Sequence, residues 1–157
     1  MKARGEADVE YPLGPALDFL RHLWELNHSL ETLSMCMERH LGITAQQRLL
    51  LRCIGKYPGI GVGQLAATLH LDPGTISATL RRLEQKDLVE RRQDPRDRRR
   101  ASLGLTEQGR VLASPARGTV EWAVTRLLEQ GDVHKIAATS EVLQRLIALL
   151  GEEFDEW

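Results

Sequence analysis

The chain has 157 residues, 42% hydrophobic and 27% charged, with a formal net charge of −1. That length suits one domain, or one small domain with helical additions, and no apolar run approaches the ~18 to 20 residues that span a bilayer. Two cysteines, Cys36 and Cys53, are too few for a disulfide scaffold, and the acids and prolines of the first twenty residues do not make a secretory signal. We therefore expect a cytoplasmic protein with no membrane partner.

In chain order, Pro12 and Pro15 set up a helix start, because proline is tolerated where a first-turn N–H has no partner. Leu17, Leu20, Trp24, Leu30, Leu33, Met37 and Leu41 then recur at spacings of three and four, predicting one long amphipathic helix that stops near Gly42. Thr44 with Gln47 fits a capping box for a second helix, which carries Leu49, Leu50, Cys53 and Ile54. Lys56-Tyr57-Pro58-Gly59 ends it. Ile60 and Val62 could supply a short strand, and Gly61 or Gly63 opens a third helix with Leu65, Ala66 and Leu69 inward. Asp72 is a good N-cap with Pro73 in the first turn of the fourth helix. On that helix Ile76, Leu80 and Leu83 share a narrow arc at ~100° per residue and face the core.

The opposite face of the fourth helix carries Gly74, Ala78, Arg81, Arg82 and Gln85, flanked by Thr75 and Ser77. It is small at its beginning and basic at its end, which suits a helix entering a major groove: small residues allow close approach, and arginines reach phosphates. An extended Leu88-Val89-Glu90-Arg91-Arg92, a charged turn and the alternating Ala101-Ser102-Leu103-Gly104-Leu105 follow, reading as a hairpin. Between Arg91 and Arg100 six arginines and two aspartates give a local net charge of +4, leaving −5 for the rest of the chain. A neutral average thus conceals a basic protrusion on an acidic body.

Thr106 caps the next helix, containing Val111, Leu112, Val120, Val124, Leu127 and Leu128, with Pro115 bending it. Gly131-Asp132 breaks the chain. A last helix carries Val133, Ile136, Leu143, Ile147, Leu150 and Phe154, more apolar surface than one chain can hide.

Leu83-Glu84, Leu88-Val89-Glu90-Arg91, Asp94-Pro95-Arg96-Asp97-Arg98-Arg99 and Leu105-Thr106-Glu107-Gln108-Gly109, in this order, resemble the MarR family of bacterial transcription regulators. The resemblance implies a mainly α fold with a small β-wing, a winged helix-turn-helix flanked by N- and C-terminal dimerisation helices. It divides the chain into an arm and long helix at 1–42, a DNA-binding lobe at 43–106 and dimerisation helices at 107–157.

It further implies that Pro73, Gly74, Thr75, Ser77, Ala78, Arg81 and Arg82 of the recognition helix meet double-stranded DNA. Arg96, Arg98, Arg99 and Arg100 of the wing would join them, with Asp94 and Asp97 stiffening the loop and Arg96 entering the minor groove. Asp87 stands where the family usually has glycine, and would have to take a left-handed backbone. The family often binds small amphipathic or aromatic effectors where dimer helices meet the lobe, which makes Trp24, His28, Arg48, Arg52 and Trp122 candidates for a lining.

No catalytic constellation or glycine-rich phosphate loop stands out, so we read no enzyme and no cofactor. Cys36 and His40 share a helix face at a spacing that can hold a metal, yet the downstream histidine pair of a family zinc site is replaced by Arg110 and Arg117, and we assign no metal. The expectation is a homodimeric, ligand-responsive repressor on a pseudo-palindromic operator. The rivals are a sequence-tolerant architectural DNA binder and a winged-helix protein-interaction module.

Overall fold

The structure, a computed structural model, describes residues 12–93 and 101–154. Helix α1 (Pro15–Leu41) begins with proline in its first turn. It ends where Gly42 turns left-handed at φ 72°, its N–H donating to the carbonyl of Glu38. Helix α2 (Ala45–Lys56) opens on the expected capping box: the Gln47 N–H donates to Thr44 Oγ1, and the Thr44 N–H donates to Gln47 Oε1, both at 3.2 Å.

Helix α3 (Val62–Leu69) starts at once after Gly61, whose N–H donates to Gln64 Oε1 at 3.0 Å. The short strand expected from Ile60 and Val62 is therefore not formed. The cap draws Val62 into the helix and leaves a single bridge between Gly61 and Ser102, flanked by paired backbone hydrogen bonds of Gly59 and Ile60 with Leu103. Helix α4 (Pro73–Gln85) is capped by Asp72, whose Oδ2 accepts from the Thr75 N–H at 2.9 Å.

Asp87 does adopt the left-handed backbone, at φ 54°. It turns the chain into β1 (Val89–Gln93), which pairs antiparallel with β2 (Ala101–Leu105), Val89 opposite Leu105 and Arg92 opposite Ser102.

Beyond Thr106 the single bent helix expected from the sequence is two helices, α5 (Glu107–Ala113) and α6 (Val120–Gln130). Pro115 stops the first outright, because the residue before a proline is pushed out of the helical region; Ser114 sits extended at ψ 149°. Gly118 then turns at φ 74°, and Thr119 caps the restart. Helix α7 (Val133–Phe154) follows Asp132, whose carboxylate accepts from the His134 N–H at 2.9 Å.

One core holds α2, α3, α4 and the hairpin together. Leu50, Leu51, Leu65, Ile76, Leu80 and Leu83 are fully enclosed, joined by Ile43, Ile54, Leu88 and Leu103. At ~25 cal/mol per Å² of apolar surface removed from water, these side chains dominate the stability of the lobe. The terminal helices are different. Met37 is the only described residue of α1 that is buried, and Leu17, Trp24 and Leu30 of α1, Leu127 of α6, and Ile147 and Leu150 of α7 lie exposed. Among the described residues, no helix is long and apolar enough to cross a membrane.

Candidate nucleic-acid interface

The face of α4 turned away from the core is set by its 3.6-residue period. Burying Ile76, Leu80 and Leu83 turns Gly74, Thr75, Ser77, Ala78, Arg81 and Arg82 outward, while Pro73 shares the arc of Leu80 but stands in the first turn; all seven are exposed. Thr79 lies between the two faces, buried, its hydroxyl donating to the Thr75 carbonyl at 2.9 Å. It stiffens the turn that presents Thr75. Gly74 has a local reason beyond size: a Cβ there would stand 2.8 Å from the Asp72 carboxylate oxygen that caps the helix.

Charge is distributed unevenly over this surface. At the stem of the hairpin Arg91 pairs with Glu84 and Arg92 with Glu90, so those two arginines are locally neutralised. Arg81 and Arg82 have no carboxylate partner among the described residues. Free guanidinium groups at the end of an exposed helix are what an approaching phosphate would meet first. The wing turn with Asp94, Arg96, Asp97, Arg98, Arg99 and Arg100 lies outside the described residues, and the two strands that carry it are in place on either side.

The five candidates for an effector lining do not form one surface type. Trp24 is 65% exposed and His28 is exposed on α1, whereas Trp122 is half-buried with the Arg117 guanidinium over its ring. Arg48 is only 1% exposed and fully engaged: it donates to Glu121 and to the carbonyls of Leu112 and Ser114. Arg52, one turn on, donates to the Ala113 carbonyl at 3.0 Å. Both arginines thus cover the end of α5, where helix carbonyls have no partner of their own and the macrodipole favours a cation. Sequence reasoning missed this duty. Its signal was two arginines at i, i+4 set among the apolar Leu49, Leu50, Leu51, Cys53 and Ile54.

No group of three or more potential metal ligands occurs among the described residues. Cys36 on α1 is half-buried, with its carbonyl 2.8 Å from His40 Nδ1 and its sulfur 3.6 Å from Arg39 Nη2. The Cys53 thiol is pushed up from its ordinary value, first by burial, with Lys56 and Arg52 opposing.

Residues 43–101 match the model of the MarR family. The chain is similar to the organic hydroperoxide resistance transcriptional regulator of Bacillus subtilis (strain 168), 34% identical over 76 residues that cover 48% of this chain and 52% of that one. The chain thus spans about half the length of the curated relatives it matches.

Its fold is similar to that of Streptococcus pneumoniae FabT, solved in complex with DNA. The TM-score is 0.66 at 23% identity, covering 88% of this chain and 99% of that one. The Staphylococcus aureus MepR–DNA complex aligns with a TM-score of 0.67 at 23% identity, over 85% of this chain and 97% of that one. The capped helix α4 and the paired strands β1 and β2 lie inside the segment, residues 43–101, that matches the MarR family model, and the fold is that of a winged helix-turn-helix.

Proposed function

We propose that this protein is a sequence-specific, DNA-binding transcription regulator, acting in the cytoplasm as a homodimeric repressor whose operator affinity an effector modulates. The observation that carries the reading is the exposed face of α4. It runs from small residues at Gly74 and Ala78 to Arg81 and Arg82, which have no carboxylate partner among the described residues, beside two paired strands whose connecting sequence holds four further arginines. In this reading α4 lies in the major groove, and Arg96 reaches the neighbouring minor groove, where a narrow A·T-rich geometry concentrates negative potential.

A second copy covers the bare apolar faces of α1, α6 and α7, making residues 1–42 and 107–157 the dimerisation segments of the assembly. Contiguous exposed apolar surface of this kind is rare on monomers. A two-fold dimer presents two recognition helices, so the operator is an inverted repeat with half-sites about one turn, roughly 10 base pairs, apart. An effector that prefers a dimer with wrongly spaced helices lowers DNA affinity by its differential affinity for the two states. Trp24, His28 and Trp122 remain its candidate contacts.

One observation favours a second reading. Ser77 and Ala78, at the centre of the exposed face, are too short for bidentate base recognition, as a sequence-tolerant architectural binder would allow. Titrating the purified protein against its own upstream DNA and a scrambled duplex, across a salt series, separates the two. A preference of ~1000-fold or more supports a specific regulator. Equal affinities with steep salt dependence overturn it in favour of the architectural binder, and no binding to either duplex leaves a protein-interaction module.

A further inference from the structure

The winged lobe meets its flanking helices at two joints. At the first, the end of α1 holds it: Met37 is buried, Ser34 Oγ accepts from the Ala45 N–H at 3.0 Å, and Lys86 Nζ donates to the Gly42 carbonyl at 2.5 Å. At the second, the chain passes from α5 to α6, and the Arg48 guanidinium reaches across. It donates to the carbonyls of Leu112 and Ser114 on the α5 side and to the Glu121 carboxylate on the α6 side. We propose that Glu121 is a positioning residue for the recognition helices: through Arg48 it sets the angle between the lobe and α6, and with it the separation of the two copies of α4 in a dimer. The inference rests on the dimeric regulator proposed above and adds a residue that acts without touching DNA.

Two joints are what fixing an angle requires. The contacts of the first gather at one end of α1, so that joint alone is a pivot. At the second, α5 belongs to the lobe, because Gly109 packs against the Leu88 carbonyl while Arg52 and Arg110 donate to the carbonyls of Ala113 and Leu105. Helix α6 has no buried residue, so apolar packing within the chain gives it little hold on the lobe. The segment before it is fastened to α6 itself: the Thr119 hydroxyl donates to the Ala116 carbonyl at 2.7 Å and accepts from the Trp122 N–H, and the Arg117 guanidinium lies over the Trp122 ring. That leaves the step from Ser114 to Pro115 as the place where the angle can change. Of the ion pairs among the described residues, only Arg48–Glu121 spans it; the others lie within α1 or within α4 and the hairpin.

The latch is asymmetric. Arg48 is 1% exposed and has two acceptors on the lobe side, whereas its one acceptor on α6 is a carboxylate 29% exposed. When the pair parts, Arg48 keeps the carbonyls of α5 and water solvates Glu121, so the end of α5 stays covered while α6 is freed. A packed lobe with a latch of this kind has two arrangements rather than a continuous range. Only the latched one holds a single separation of the recognition helices, and affinity for a fixed half-site spacing falls with the fraction that is latched.

The separation can be read without DNA. Nitroxides attached through Gln85→Cys, an exposed position on α4, in a Cys36→Ser, Cys53→Ser background report the distance between the two lobes by double electron–electron resonance. The urea midpoint of each variant shows that it is folded under the conditions used. With Glu121 intact, one narrow distance distribution is expected. Glu121→Ala should widen it about twofold or add a second peak, and Glu121→Gln, which keeps an acceptor for the Arg48 Nε–H, should fall between the two. A role confined to stability would lower the urea midpoint and leave the distribution unchanged, and that result overturns the proposal. Equally broad distributions with and without Glu121 overturn it as well. No distance between spins with Glu121 intact would remove the dimer and the latch with it, a failure recognised by the missing coupling, whereas failure of the latch alone leaves the coupling in place.

Discussion

Arg48 of α2 donates its Nε–H to the carboxylate of Glu121 on α6, in a pair whose arginine side chain is 1% exposed and whose glutamate is 29% exposed. The same guanidinium holds the carbonyls of Leu112 and Ser114. One buried side chain therefore ties the winged lobe to the end of α5 and to the start of α6 across the break at Pro115. Burying a cation costs several kcal/mol unless its donors are matched, and here they are.

Arg48→Met removes the cation and strands two helix-end carbonyls and a partly screened carboxylate. We expect a loss of about 3 kcal/mol, at the lower end for a buried pair because water reaches Glu121. The shift of the urea midpoint at constant slope measures it. Glu121→Gln, which keeps shape and one acceptor, should cost less than half as much. A double variant as stable as Arg48→Met alone would show that Glu121 contributes to stability only through Arg48.

The glycine of Leu105-Thr106-Glu107-Gln108-Gly109 has a steric origin. The first turn of α5 lies directly against the chain entering β1: a Cβ on Gly109 would stand 2.9 Å from the Leu88 carbonyl carbon and would overlap its oxygen. Thr106 cements the approach, its hydroxyl donating to the Asp87 carbonyl at 2.7 Å while accepting from the Gly109 N–H. Gly109→Ala must part α5 from the hairpin, and we expect it to cost about 3 kcal/mol, read as a fall in thermal midpoint. Gly63→Ala, where a Cβ meets nothing within 4 Å, should leave stability unchanged or slightly higher.

Elements governed by local chemistry were legible in the sequence. The Thr44–Gln47 box, the Asp72 and Thr106 caps, the stop at Gly42 and the inward set Ile76, Leu80 and Leu83 all follow from side chains within a few residues of one another. What failed was decided by partners far along the chain or by competition between neighbours. Ile60 and Val62 have strand propensity, but the Gln64 cap at Gly61 outcompetes it. Pro115 reads equally as a kink or a stop, and the arginines of α2, some sixty residues earlier, secure the stop by covering the carbonyls it exposes. Arg48 appeared as pocket lining because nothing near it in sequence announces Glu121.

Asp87 offers a cleaner test of backbone strain. At φ 54° an aspartate carries a steric penalty that glycine does not, and no hydrogen bond of its side chain is present among the described contacts to compensate. Asp87→Gly relieves the penalty and gives back part of the gain through the looser unfolded chain. The net expectation is a stabilisation of about 0.5 kcal/mol, visible as a higher urea midpoint with operator affinity unchanged. A destabilised variant would mean that the aspartate carboxylate anchors the turn.

The division of labour between helix and wing can be read from two arginines that should fail differently. Arg81 is exposed on α4 without a carboxylate partner among the described residues, and in the proposed reading it meets a phosphate. Arg81→Ala should weaken binding to operator and scrambled duplex alike and flatten the salt dependence by about one unit of slope. In the proposed reading Arg96 makes a minor-groove contact, which depends on the shape of one sequence. Arg96→Ala should therefore lose ~1 to 3 kcal/mol on the operator and far less on the scrambled duplex. Operator affinity unaltered by Arg96→Ala at fixed salt would remove the wing tip from recognition and leave α4 as the sole reader of sequence.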